Sequence, residues 1–222
     1  MSQVVANGKP VIEMRLCMPR VGAWVSDLYI DAEDSLSGDI TVTIAGGSSD
    51  LELVGTVRQG GAYLKANQIR VIAGKNGMDG LASPRAYQNG ALLRTVLSDL
   101  ASDAGETIDA SSSQSALGSS LGRWTTTLTT ISEVFAHAIN LGSPGSIHRF
   151  LPNGNLFIGD DGLEEYAEEF QILNEQPQRL TASIGLYAPT LLPGMAIDGR
   201  RVDYVEHTIR SASSQTMVWF DQ

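Results

Sequence analysis

Leu192-Pro193-Gly194-Met195-Ala196-Ile197-Asp198-Gly199-Arg200-Arg201-Val202-Asp203-Tyr204-Val205-Glu206-His207-Thr208-Ile209, followed by Thr216-Met217-Val218-Trp219-Phe220, reads as short strands joined by tight turns. Pro193 fixes φ and Gly194 frees it, while Asp198-Gly199 is a strong two-residue hairpin signal. Alternation at Val202, Tyr204 (or Val205), Thr208 and Ile209 fits a half-buried strand. This stretch is therefore expected to be a packed β element rather than a tail.

The N-terminal third has the same texture. Five strands are expected there: Val11 to Met18, Ala23 to Asp31, Gly38 to Ala45, Leu51 to Arg58, and Gln68 to Ala73. In the second of these, Trp24, Leu28 and Ile30 share one face, and Val25, Asp27, Tyr29 and Asp31 share the other, which is period two. Breaks at Ser37-Gly38, Gly46-Gly47 and Gly60-Gly61 separate the runs at the spacing of a small antiparallel barrel or sandwich. Five more strands are expected near the C-terminal end: Tyr166 to Leu173, Leu180 to Leu186, Met195 to Asp198, Arg201 to Ile209, and Thr216 to Phe220.

Between the two β blocks the period changes. Gly74-Lys75-Asn76-Gly77-Met78-Asp79-Gly80-Leu81 through Pro84 reads as a loop and a domain edge. Leu92, Leu93, Val96, Leu97, Leu100 and Ala104 then recur at helical spacing, with Asn89 as N-cap and Gly105 where a left-handed C-terminal residue belongs. Asp109 to Gly122 is Ser-, Ala- and Gly-rich and is expected to be an exposed loop. Leu128, Ile131, Val134, Phe135, Ala138 and Ile139 mark a second helix, with Thr130 and Glu133 spaced as a capping box and Leu141-Gly142 closing it. Arg149 to Gly159 is a hairpin turned by Asn153-Gly154. The expected fold is α+β and mainly β: two small antiparallel β-barrel or sandwich units flanking a two-helix plus hairpin module. The boundaries are 1–84, 85–160 and 161–222.

Composition narrows the function. A chain of 222 residues can bury a sizeable core, and its 42% apolar content includes no run near the ~20 residues that span a bilayer. Met1 to Gly8 lacks the basic and apolar segments of a secretory signal, so an intracellular site of synthesis is expected. The formal charge of −10 disfavours a phosphate-neutralising surface. Twelve of the fifteen basic residues are Arg, the lysines being Lys9, Lys65 and Lys75, a bias that leans toward interfaces. The one cysteine, Cys17, excludes an internal disulfide, and between Leu16 and Met18 it reads as a small buried apolar residue.

Catalytic patterns are weak. Gly118-Ser119-Ser120-Leu121-Gly122 satisfies G-x-S-x-G, but a nucleophile elbow needs a buried strand before it, and Ala110 to Ala116 is polar. Gly74, Gly77 and Gly80 match neither a dinucleotide fingerprint nor a P-loop. His137, His148 and His207 are scattered, with no i, i+4 pair. Asp160-Asp161, Glu164-Glu165 and Glu168-Glu169 lack the spacing of a calcium loop and read as a solvated acidic face. Trp24, Trp124 and Trp219 each adjoin an apolar face and read as core or interface anchors. No catalytic, cofactor-binding or metal-ligating residue is assigned, and no enzyme activity or cofactor is expected.

The order of elements is itself informative. A β unit, a glycine-rich connector, the helix around Leu92-Leu93-Arg94-Thr95-Val96-Leu97-Ser98-Asp99-Leu100, and a second helix leading into Arg149-Phe150-Leu151-Pro152-Asn153-Gly154-Asn155-Leu156-Phe157-Ile158-Gly159 come first. With a terminal unit carrying Leu192 to Gly199, this order resembles the baseplate hub proteins of tailed bacteriophages over roughly residues 10 to 221. The sequence is short for that family, which implies that extra domains of larger hubs are missing. The resemblance implies a homotrimer at the virion tail tip, whose two similar barrels per chain adapt a sixfold tail tube to a threefold spike or fibre. It also implies contacts with the distal tail or tube protein, the spike or fibre and the tape-measure protein, and a channel that DNA traverses without specific binding. No direct membrane insertion is expected. Three copies at −10 total −30, and an acidic lumen would repel passing DNA. A sixfold distal tail or tail-tube protein is the alternative within the class, and a carbohydrate-binding or cell-wall-degrading module the alternative outside it.

Overall fold

A computed structural model describes residues 4–32, 36–46, 49–63, 66–168, 170–184, 188–210 and 213–221. Gly47, Lys65, Glu169, Leu186 and the first three residues, named above, lie outside the described residues. The chain forms two compact units: one from Met1–Arg20, Trp24–Ala73 and Asp161–Gln222, the other from Val21–Ala23 and Gly74–Asp160.

In chain order the strands of the first unit's N-terminal part are β1 (Val4–Ala6), β2 (Lys9–Pro19), β3 (Val25–Ile30), β4 (Asp39–Ile44), β5 (Leu51–Tyr63) and β6 (Ala66–Ala73). The second unit holds β7 (Arg85–Leu92), α1 (Leu93–Ala104), α2 (Gln114–Leu117), β8 (Ser120–Thr126), α3 (Ile131–Gly142), β9 (Ile147–Phe150) and β10 (Leu156–Gly159). The first unit is completed by β11 (Ile172–Gln176), β12 (Thr181–Ile184), β13 (Ala196–Ile197), β14 (Arg200–Arg210) and β15 (Ser213–Phe220).

The first unit is mainly one antiparallel sheet. Its ladder runs β1-β4-β5-β6-β3-β2, and β1 also pairs with β2, so these six strands close into a barrel. β1 is short and was not expected from the sequence. It is set by Asn7-Gly8, both at positive φ (47° and 78°), the backbone that a two-residue primed turn requires. The interior is lined by alternate residues: Met14, Leu16 and Met18 of β2, Leu28 and Ile30 of β3, Val42 and Ile44 of β4, and Ile69 and Val71 of β6, all buried. Trp24 fills the same core, and Gly55 leaves room for it.

Two separate five-strand units are not what the ladder builds. β14 pairs antiparallel with β2, Met18 opposite Val205, Leu16 opposite His207 and Met14 opposite Ile209. The sheet then continues through β15 and β12 to β11, with β13 hairpinned onto β14. The C-terminal strands are therefore an extension of the N-terminal sheet, and the first and last segments of the chain share one unit. The physical reason is register: β2 is 11 residues long, so its first part serves β1 while its later part offers a second edge to β14.

Several boundaries also differ from the sequence reading. β14 carries a bulge between Val202 and Tyr204, which flips the phase. Val202, Val205, His207 and Ile209 face inward, so the ambiguity between Tyr204 and Val205 resolves in favour of Val205. The strand expected at Tyr166 to Leu173 is displaced to Ile172–Gln176. Asp198-Gly199 makes the expected tight hairpin, with φ 51° and 73°.

In the second unit α1 and α3 pack through Leu93, Val96, Leu97, Leu100, Phe135, Ala138 and Ile139. Gly105 ends α1 in the left-handed conformation, as expected. Asn89 is not its cap: it lies in β7, and Leu92, exposed, occupies the N-cap position. Thr130 precedes α3 without a side-chain cap, while Thr129 donates its hydroxyl to Glu133 at 2.7 Å. The stretch read as a loop from Asp109 to Gly122 contains α2, capped by Ser113, and the start of β8, whose partner is β7. The hairpin of β9 and β10 turns at Asn153-Gly154 as expected, with Phe150 opposite Leu156. No helix among the described residues is long and apolar enough to cross a membrane.

Candidate functional site

The sheet of the first unit presents a continuous outer face, and its chemistry follows from strand register. Residues opposite one another in neighbouring strands point the same way. Arg15 of β2 lies opposite Asp27 of β3, and Asp27 opposite Arg70 of β6. Arg15 donates two hydrogen bonds to Glu206 of β14 at 3.1 and 2.9 Å, and Arg70 donates two to Asp27 at 2.7 and 2.9 Å. The row Glu206, Arg15, Asp27, Arg70 thus alternates in sign across four strands. The carboxylate of Glu206, chiefly by hydrogen bonding, raises the Arg15 pKa further above its ordinary value. Glu13, Tyr29, Gln68 and Arg210 flank this row and, with its Glu206, Arg15 and Asp27, line an open groove of about 580 Å³.

Beside the charged row runs a less polar one. Met217, Cys17, Val25, Ile72 and Thr56 make it up on β15, β2, β3, β6 and β5, and Glu206 of β14, in register between Met217 and Cys17, is shared with the charged row. Trp219 meets Tyr204 edge-on, ring centres 4.9 Å apart. Cys17 is a free thiol on this face and half-buried, which corrects its reading as a core residue. The signal was available: in a period-two strand whose core face is Met14, Leu16 and Met18, residue 17 must point outward.

The sheet has an open end. β11 pairs with β12, and no further strand pairs with it among the described residues. Leu173, at the β11 bulge, is 63% exposed, and Asn174, Glu175 and Gln176 are exposed. An unpaired strand edge with an exposed leucine is a template for pairing with another chain.

The residues considered for chemistry are dispersed. Ser120 of the G-x-S-x-G match opens β8, exposed, and its hydroxyl accepts from Gly122 N–H at 3.3 Å. His137 stacks against Trp124 at 5.4 Å. His148 is edge-on to Phe135, and burial lowers its pKa to about 4. His207 is wholly buried, its Nδ1 3.0 Å from Thr216 Oγ1, with its pKa likewise lowered to about 4 by burial. No group of three or more His, Cys, Asp or Glu side chains among the described residues is placed to hold a metal ion. Of the acidic run, Asp160, Glu164 and Glu165 are exposed, but Asp161 is not part of a solvated face: its side chain is 3% exposed and paired with Arg20. Trp24 is core, Trp124 is buried in the second unit, and Trp219 lies on the outer sheet face.

No family model matches this sequence, and no curated protein matches it either. Solved structures do. The 43 kDa tail protein of prophage MuSo2 from Shewanella oneidensis superposes with TM-score 0.65 at 10% identity, over 98% of this chain and 96% of that one. A tail protein from Neisseria meningitidis gives 0.64 at 13% identity, over 99% and 95%. A type VI secretion component of E. coli, described as structurally similar to the T4 bacteriophage tail proteins gp27 and gp5, gives 0.64 at 9% identity, over 97% and 75%.

Proposed function

We propose that this chain, which has the fold of phage tail proteins, is a structural component of a phage tail tip: a baseplate hub protein without catalytic activity. Its copies form a homotrimeric ring that joins a sixfold tail tube to a threefold spike or fibre and leaves a channel for DNA. The observation that carries this reading is the extent of the structural match, nearly the whole chain onto nearly the whole of two tail proteins. The open β11 edge supports assembly, since a sheet edge left unpaired in one copy is a surface that a neighbour can complete. The acidic composition supports a lumen that does not retain nucleic acid. The expected partners are the distal tail or tube protein on one side, the spike or fibre on the other, and the tape-measure protein within.

The test is the solution mass of the purified protein by light scattering, alone and with the tube or distal tail protein of the same phage. A particle of three copies agrees with the hub. Six copies would replace it by a distal tail or tube protein. A monomer that binds cell-wall saccharide would move the protein to another class.

A further inference from the structure

The turn that leaves β6 brings three successive backbone N–H groups onto one carboxylate. Lys75 N–H lies 3.1 and 3.0 Å from the two oxygens of Glu106, Asn76 N–H 2.6 Å from Oε1, and Gly77 N–H 3.0 Å from Oε1. Gly74 and Gly77 take positive φ, 66° and 60°, which curls the backbone so that these donors converge. Such concavities of consecutive N–H groups bind anions. A Cβ at Gly74 would overlap Glu106 Oε2 and the Phe150 ring, so the wall is kept free of a side chain where the carboxylate enters. Glu106 is 8% exposed.

The carboxylate arrives there by construction. Gly105 closes α1 in the left-handed conformation and Glu106 N–H bonds back to Ala101 O at 2.8 Å, which fixes the direction in which residue 106 leaves the helix. A negative side chain at a helix C-terminus opposes the helix dipole. Buried, it also loses water, and the nest's donors compensate both costs.

We propose that residues 74–77 form an anion-binding nest of the size and charge for a single carboxylate, that Glu106 is its built-in ligand, and that it takes a free formate or acetate when that side chain is cut back. The inference does not depend on the role in a phage tail. In the full-length chain, E106A is compared with wild type in sodium formate against sodium chloride at equal ionic strength. Formate is expected to raise the folded-to-unfolded ratio of E106A in proportion to 1 + [formate]/Kd, about tenfold at ten times its Kd, and to leave wild type unmoved. The amide NMR signals of Lys75, Asn76 and Gly77 should shift most. If E106A is unfolded in chloride, recovery of the fold in formate is the readout, and absence of recovery overturns the proposal. E106Q, whose amide oxygen fills the nest, should fold and give no formate response. A response of E106Q equal to that of E106A, or equal movement of wild type, would also overturn it.

Discussion

Arg20 and Asp161, 141 residues apart in sequence, are joined by three hydrogen bonds: Arg20 Nε donates to Asp161 Oδ2 at 3.0 Å and Oδ1 at 3.3 Å, and Arg20 Nη2 donates to Oδ1 at 3.2 Å. Arg20 is the last residue of the first unit's opening segment, and Asp161 is the first residue of its closing segment. The pair therefore ties the end of the opening segment to the start of the closing one. Arg20 is also 3.6 Å from Asp221 and 3.9 Å from Asp203.

Removing one partner should be asymmetric. In Arg20→Ala the Asp161 carboxylate stays buried with its principal cation gone, a loss expected to reach about 3–5 kcal/mol. Asp161→Ala should cost less, because Asp221 and Asp203 remain near the guanidinium. Urea unfolding of both variants decides: equal losses would mean that the outer carboxylates do nothing for Arg20.

Gly55 should not tolerate a methyl group. A Cβ there would strike the Ile72 carbonyl oxygen and come 2.7 Å from the Trp24 ring and 2.9 Å from Val71. Backbone and a buried ring cannot both give way, so Gly55→Ala is expected to lose about 1–3 kcal/mol by overpacking. Thermal unfolding measures this, and an unchanged midpoint would contradict the close approach of Trp24.

Acid should destabilise the fold in two stages. His148 and His207 hold folded pKa values near 4, below the unfolded value of 6.5, because burial disfavours the charged ring. The unfolded chain binds more protons across that window, so stability present above pH 6.5 is lost as pH falls toward 4, by up to about 3 kcal/mol for each histidine. Asp103 and Asp109 are held near 2, the first chiefly by hydrogen bonds from Arg85 and the second by those from Ser111. Their contribution disappears only between the ordinary carboxylate value and about 2. Stability measured from pH 8 to 3 should fall first in the histidine window. A flat profile from 7 to 5 would show that both imidazoles are accessible to protons in the folded state.

The exposed edge gives a prediction that separates assembly from folding. Leu173→Lys places a charge on β11 without removing its ladder to β12, a common means of blunting an edge. The monomer's stability should change by no more than about 0.5 kcal/mol, as for other surface substitutions. Association between copies should weaken, which sedimentation reads directly. Unaltered assembly would remove β11 from the interface.

Most of the strands could be read from the sequence because their burial alternates without interruption. Met14, Leu16 and Met18, or Trp24, Leu28 and Ile30, declare the inward face by themselves. What could not be read is which strands meet. The ladder between β2 and β14 joins residues nearly two hundred positions apart, and no local signal in Leu16 or His207 identifies its partner. β7 and β8 were missed because Ser120, Gly122 and Asn89 favour turns on their own and are held extended only by each other. β1 was within reach, since Asn7-Gly8 between Val5 and Pro10 is a hairpin signal. As for the candidate site, the charged row of Arg15, Asp27, Arg70 and Glu206 depends on register. Glu106 gave no sign of its role, because its partners are backbone amides about thirty residues away.

The most direct test of the hub reading is the rotational symmetry of the assembled particle, seen by cryo-electron microscopy of the protein with its neighbouring tube protein. A ring of three copies around an open channel is the expected result. A ring of six copies would contradict the hub assignment and make the protein a component of the tube or distal tail.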